Sequence, residues 1–328
     1  IDHLQPKKVL LYGVIFSIIT IALYFTITSL WILMLIRFIH GIAFGFSSTA
    51  TGTISSRIIP ENRKGEGIGY YGLSVTLASA IGPFIGLVFN NHLGFKSIFA
   101  ISLLSILIAF VLSIFIKRLP VLNHNLEAKD QPSGMHAYLQ KEALPISLVV
   151  ILIGVAYSSV LSFLSIYSEK INLVTTSSFF FIVFAIVTFI TRPFTGKIYD
   201  NYGENKVMYP VLLSFTFGLI ILGFTHTSII LLIAAAFIGF GYGTIVPTAQ
   251  AIAIQQSPAN KMGLATSTFY IFADFGAGMG PFILGIIIPF IGYRQLYMAM
   301  GMLVIIALIL YYYVHGRMHK NPFNKREY

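Results

Sequence analysis

Cysteine is absent from the 328 residues, so no disulfide and no thiolate metal site can form. Charge is nearly as scarce: 10% of the residues are charged while 56% are apolar, and the mean hydropathy is +0.84. A water-soluble surface cannot be built from that composition. Long polar stretches are missing too, apart from one near the middle, so no soluble domain exists to host chemistry. There is no Ser/His/Asp grouping, no carboxylate pair and no histidine cluster at metal spacing, which argues against an enzyme and against any metal or cofactor. Gly65-Glu-Gly67-Ile-Gly69 is glycine-rich, yet no strand precedes it and no Gly-Lys-Ser/Thr follows, so nucleotide is not the energy source. The net charge of +10 is not gathered into a basic face with base-reading residues, so nucleic acid is excluded as a partner.

What the chain does contain is long apolar runs. They fall at about 9–28, 30–54, 68–90, 96–116, 144–167, 175–196, 207–225, 228–254, 264–290 and 294–314, each long enough for a bilayer. Stretches such as Leu148–Val155 are apolar on every face, unlike the alternating strands of a membrane barrel, and closed helices satisfy the backbone in lipid. The expectation is an all-α membrane protein with ten helices. If residues 1–8 are cytoplasmic, seventeen of the 21 basic residues fall on that side, Arg192 and Lys197 among them. Only Lys96, Lys170 and Arg294 lie opposite, and Arg37 is inside a span. That bias sets the orientation, with the central linker and the C-terminus cytoplasmic. Residues 117–142, with Pro120, Asn123, Asp130, Pro132 and Gly134, read as that linker. Its Lys141-Glu142 end is suited to a short interfacial helix.

The chain also repeats itself. A constant offset of 198 carries Asp2 to Asp200, Lys8 to Lys206, Gly41 to Gly239, Gly45 to Gly243, Pro60 to Pro258, Gly82-Pro83-Phe84-Ile85 to Gly280-Pro281-Phe282-Ile283, and Gly94 to Gly292. Matches at Gly, Pro and charge over some ninety residues are hard to obtain by chance. The second copy has six runs and the first has four, so two helices before residue 1 are expected to complete the first. The boundaries that follow are 1–116 for an N-terminal half lacking its first two helices, 117–142 for the linker, 143–315 for a six-helix half, and 316–328 for a tail.

Gly196, Asp200, Gly203 and Lys206 resemble the G-x-x-x-D-x-x-G-x-x-[KR] loop of the major facilitator superfamily, and Asp2 with Lys7-Lys8 is similar to the end of its first-half counterpart. There the pattern departs, with Gln5-Pro6 where glycine and a base are usual. Arg37-Phe-Ile-His40-Gly41 resembles the R-x-x-x-G of the family's fourth helix. Gly72 followed by Gly82-Pro83-Phe-Ile-Gly86 resembles the fifth-helix motif of proton-driven exporters, except that Leu87 replaces a second glycine. The resemblance implies a bundle of two pseudo-symmetric halves, ten of twelve helices being present. It implies a monomeric, multi-pass protein of the plasma membrane that carries a small molecule by alternating access. Drug/proton antiporters are the nearest pattern, so protons are the implied coupling ion and efflux of a small amphipathic compound the implied task. A carrier for uptake or facilitated passage of a metabolite is the alternative, and a receptor or scaffold without transport a third. The loop residues Asp2, Lys8, Gly196, Asp200, Gly203 and Lys206 would latch the halves, with Asp200 accepting from helix N-terminal amides; an ordinary positive-inside loop is the plainer reading.

Gly82, Pro83, Gly86, Gly280 and Pro281 put a helix breaker in mid-span and are expected to kink helices packed closely on their neighbours, as a hinge or simply as packing. Ionisable groups at bilayer depth are costly and need a partner or a role. Arg37 shares a stripe with Gly41, Gly45 and Ser48, beside His40, and could instead snorkel to an interface. Asp274, the acid within a span, shares a stripe with Ser267 and Tyr270; it is either a pathway acid or a structural hydrogen-bonding group. Gln250 and Tyr157 are polar groups placed to line a cavity. Phe179-Phe180-Phe181 and Tyr311-Tyr312-Tyr313 read as lipid-facing or interfacial belts.

Overall fold

In a computed structural model, residues 5–117, 139–258 and 261–317 are described, and helices account for nearly all of them. Pro6 stands in the first turn of α1 (Pro6–Leu23), where its missing N–H costs nothing. The chain continues through α2 (Leu30–Ile58), α3 (Lys64–Leu93) and α4 (Phe95–Phe115). After the linker come α5 (Leu144–Lys170), α6 (Val174–Tyr202), α7 (Asn205–Gly223), α8 (Ser228–Gln255) and α9 (Met262–Tyr311). Gly292, at φ 75 and ψ 170, breaks α9 into two legs. A π-helical turn, Tyr312–Gly316, ends it. The ten apolar runs thus correspond to α1 to α8 and the two legs of α9. Among the described residues, eight helices, α9 counted as one, are long and apolar enough to cross a membrane; α3, which holds the run 68–90, is not among them, so the ten expected spans are not all shown.

The repeat is visible in the backbone. Gly94, joining α3 to α4, has φ 81 and ψ 170, matching Gly292 at the same place in the second copy. Ser29 caps α2 by accepting from the Ile32 N–H, and Thr227 caps α8 by accepting from that of Ile230, both at 3.4 Å. Where the sequence departs from the repeat, so does the chain: Gly203 turns at φ 86, whereas Gln5 stands at φ −68 ahead of Pro6. A proline in the first turn starts α1 without the left-handed residue that starts α7.

Packing is uneven between the copies. One continuous apolar core joins α5 to α9, with Phe180, Phe184, Phe215, Phe269 and Tyr297 fully buried. The first copy has two small clusters, one around Val9, Val14 and Ile54 and one around Ile21, Tyr24 and Ile36. Phe180 and Tyr311, expected on a lipid-facing belt, are fully buried, while Phe179 is exposed. The reason is geometric: consecutive helical residues point about 100° apart, so a run of three cannot share one face. The linker's end makes a single 3-10 turn, Lys141–Ala143, rather than a separate helix. It is tied down by the buried Gln140, whose N–H donates to Thr268 Oγ1 at 2.8 Å. Residues 118–138 of the linker, Asp2 and residues 318–328 of the tail lie outside the described residues.

The glycine-proline pairs do not break their helices. α3 runs unbroken past Gly82 and α9 past Gly280-Pro281, and the non-helical residue of α9 is Gly292. Gly280 is pressed on Ser158 and Val155 of α5, whereas a Cβ on Gly82 or Gly86 would have nothing within 4 Å among the described residues, so close packing is seen there for the second copy alone. The side chain of Pro83 is outside the described set.

Candidate functional site

Two helical stripes face each other across a cleft of about 370 Å³ between α2 and the first leg of α9. From α2 come Ile42, Gly45, Phe46, Ser48 and Thr49; from α9 come Ser267, Tyr270, Ile271 and Asp274. Residues three and four apart share a helix face, so the stripe of Gly45 and Ser48 and the stripe of Ser267, Tyr270 and Asp274, read separately from sequence, meet in one place. Asp274 is exposed within this open cleft rather than sealed, and among the described residues no basic side chain lines it.

A chain of hydroxyls closes one end. Gln250 Nε2 on α8 donates to the Tyr270 hydroxyl at 3.4 Å, Tyr270 donates to the Tyr71 hydroxyl at 3.3 Å, and Tyr71 donates to Thr51 Oγ1 at 3.2 Å. These links join α8, α9, α3 and α2. Beside them α2 comes close to α9 at Gly52, where a Cβ would stand 2.8 Å from Thr266 Cγ2. Tyr71 and Thr51 were not singled out from sequence. Their 199- and 20-residue separations from the groups they meet carry no local periodicity to find them by.

Further along the same end, the Glu66 N–H at the start of α3 donates to Asp200 Oδ2 at 2.9 Å. A carboxylate at a helix N-terminus satisfies an amide with no helical partner and complements the dipole. Gly196 lets α6 approach, since a Cβ there would lie 2.7 Å from Glu66 Cα. Gly196 and Asp200 are helical residues of α6, not loop residues; only Gly203 makes the turn. Lys206 and Lys8 are exposed in the first turns of α7 and α1. Glu204 meets His315 at 3.0 Å and Asn205 donates to the Gly316 carbonyl at 3.0 Å, so the turn after Asp200 is fastened to the end of α9.

Other expected site residues are elsewhere. Arg37 lies about two turns of α2 from Gly45, and its guanidinium sits 5.5 Å from the centre of the Tyr24 ring, while His40 Nδ1 is 3.2 Å from the Tyr24 hydroxyl. Both therefore lean on α1 and its following turn rather than line the cleft. Tyr157 is in the second-copy core, stacked on Tyr242 at 3.5 Å, its buried hydroxyl without a partner among the described residues. Gln250 is buried and reaches the cleft only through Tyr270. Arg192, counted with the loop charges from sequence, is instead within α6 and buried. Its place inside the apolar run 175–196 was the available signal. No group of His, Cys, Asp or Glu that could hold a metal exists among the described residues.

The sequence model of the Major Facilitator Superfamily matches residues 1–217 and 174–327, overlapping stretches that together take in nearly the whole chain. The chain belongs to that superfamily. Among its relatives is the multidrug resistance protein MdtG of Dickeya zeae (strain Ech586), 24% identical over 314 residues, covering 93% of this chain and 76% of that protein. The MdtG of Klebsiella pneumoniae (strain 342) is 24% identical over 292 residues, with 86% and 70% covered. Of solved structures, the human organic anion transporter MFSD10 (TETRAN) superposes with a TM-score of 0.77 at 15% identity, covering 94% of this chain and 78% of that one. The E. coli fucose:proton symporter FucP gives 0.70 at 16%, covering 95% and 85%. At such identities the structures speak for the fold alone. As a superfamily member the protein is a membrane transporter and not an enzyme, with a small-molecule substrate and the bilayer as its surroundings.

Proposed function

We propose that this protein is a proton-coupled exporter of small amphipathic compounds, working by alternating access across the plasma membrane with the Asp200 end on the cytoplasmic side. The observation that carries the reading is the cleft between α2 and α9, which joins the apolar and aromatic surface of Ile42, Phe46, Ile271 and Tyr270 to one carboxylate, Asp274. An amphipathic molecule finds both an apolar wall and a charged or polar anchor there. A single acid in that position can serve a proton and a substrate in turn, because the charge of Asp274 changes what the cleft prefers to hold. The hydroxyl chain and the Asp200 cap hold the cytoplasmic end shut, while a Cβ on Gly82 or Gly86 of α3 or on Gly278 or Gly285 of α9 would have nothing within 4 Å among the described residues, as suits a state open toward the other side. The names of the MdtG relatives, as multidrug resistance proteins, agree with export. Asp200 would then be the latch of the outward-open state, and one copy of the chain suffices.

The test is transport of a fluorescent lipophilic amine in proteoliposomes under an imposed pH gradient, comparing the protein with Asp274→Asn. Movement of amine against a counter-flow of protons is expected, and its gradient-driven part should fall by about fivefold or more in the variant, at the low end of typical coupling. Co-directional flux would favour an uptake carrier, and flux indifferent to pH a facilitator. Absence of flux in a folded protein would leave a receptor or scaffold.

A further inference from the structure

Arg192 presents a problem that the cleft and the latch do not solve. Its side chain is 3% exposed, deep in the contact of α6 with α3 and α8. One terminal nitrogen donates to the Gly243 carbonyl of α8 at 2.7 Å, but Nε has no partner and no ion pair joins the guanidinium to a carboxylate among the described residues. Over it lies the glycine face of α3: a Cβ on Gly69 would stand 3.7 Å from Arg192 Cδ, and one on Gly72 3.5 Å from the same terminal nitrogen that bonds the Gly243 carbonyl. A charge taken from water with one carbonyl as compensation destabilises the arrangement that encloses it.

What encloses it is conditional. α6 and α8 belong with the second copy and hold Arg192 between them; the lid, α3, belongs to the first. If the two parts separate at this end, as the alternating-access reading on which this inference rests requires, the Gly69 and Gly72 face lifts away and the guanidinium meets water while keeping its bond to Gly243. The cost of the buried charge is therefore paid only in the closed arrangement. Asp200 acts in the opposite sense, because its bond to the Glu66 N–H exists only when α3 and α6 are together.

We propose that Arg192 is a positioning residue that opposes the latch: its confined charge raises the free energy of the state closed at this end, so that the Asp200 contact holds that state without trapping it. A residue there whose only task was to tie α6 to α8 could do so with any donor to the Gly243 carbonyl. A charge is needed only if its hydration on opening matters.

The absence of cysteine from the sequence makes the test clean. Thr266 is fully buried at the seal next to Gly52, so a Thr266→Cys reporter should react with a permeant maleimide only when this end opens. In that background Arg192→Gln keeps a donor for Gly243 but removes the charge, Arg192→Met removes both at similar length, and Arg192→Lys keeps the charge. Both neutral variants are expected to slow labelling by about tenfold at unchanged or raised melting temperature, since apolar replacement of buried charge is often stabilising, while the lysine variant stays near the parent rate. Faster labelling, a lowered melting temperature or failure to fold in both neutral variants would mark Arg192 as an anchor and overturn the proposal. Unshifted labelling in both would overturn it equally. A reporter that never labels in the parent protein would show that this end does not open, which removes the alternating-access reading and the proposal with it; labelling in the parent separates the two failures.

Discussion

The two copies of the repeat use the same glycines differently. In the second copy α8 lies close to α6: a Cβ on Gly239 would come within 2.7 Å of the Phe184 carbonyl oxygen, and one on Gly243 would run into Thr188. Thr188 Oγ1 also donates to the Gly239 carbonyl at 2.8 Å. In the first copy Gly41 and Gly45 hold the same positions on α2, yet among the described residues nothing lies within 4 Å of a Cβ placed on either. Small residues permit close helix approach in a membrane, but permission is not contact. A repeat in sequence fixes the helices and their turns, while the energy each glycine contributes depends on what stands opposite it.

The sharpest way to break that comparison is to add one methyl group to each copy. Gly239→Ala should overpack the α6–α8 contact and cost about 1–3 kcal/mol, seen as a lower melting temperature of the purified protein by circular dichroism. Gly41→Ala should be neutral or slightly stabilising, because alanine is the better helix former by about 1 kcal/mol where nothing is displaced. Equal destabilisation of both would mean that α2 has a neighbour at Gly41 as close as Phe184 is to Gly239, and the contrast between the copies would disappear.

That contrast also marks where reading the sequence succeeded. Each apolar run lies in a helix because hydrophobic length is a local property, although α3 is not apolar enough to count as a span, and the offset of 198 survives down to matched backbone angles at Gly94 and Gly292. The stripe of Ser267, Tyr270 and Asp274 was legible from helical spacing, and so was the capping role of Asp200. Contacts between distant helices were not. Tyr71 meets Tyr270, Arg192 is covered by Gly69 and Gly72, and Arg37 leans on Tyr24 instead of the cleft, and each of these depends on which helices become neighbours. The glycine-proline pairs lie inside continuous helices, and the non-helical residues stand at Gly94 and Gly292. A proline can be kept within a helix when its surroundings re-satisfy the freed carbonyl, whereas a left-handed residue must interrupt it.

Where the cause is the backbone itself, the copies should agree. Gly94 and Gly292 have nearly the same positive φ, and among the described residues a Cβ would meet nothing within 4 Å on the first and only the Gln295 Oε1, at 3.4 Å, on the second. Neither site is crowded, so Gly94→Ala and Gly292→Ala should each cost about 1–2 kcal/mol from conformation alone. The matched pair sharpens the glycine comparison because it removes neighbours as a variable. Melting temperatures shifted by similar amounts are expected; a large effect at Gly292 with none at Gly94 would show that packing of the second copy intrudes even here.

The smallest effect is expected at the helix caps. Ser29 and Thr227 are both exposed and occupy equivalent positions, and each accepts from the amide three residues on at 3.4 Å, near the outer limit of a hydrogen bond. Loss of an N-cap side chain typically costs about 1 kcal/mol, and bonds this long belong at the lower end, about 0.5 kcal/mol. The hydroxyl is common to both residues, so exchanging them, Ser29→Thr or Thr227→Ser, should leave stability unchanged, while Ser29→Ala and Thr227→Ala should lower it equally. Hydrogen exchange of the Ile32 and Ile230 amides reads this locally, without dilution by the rest of the molecule: each should exchange faster in its own alanine variant and not in the other. Faster exchange at Ile230 alone would mean that the cap stabilises only a helix already held by close neighbours, and the difference between the copies would then extend from their glycines to their ends.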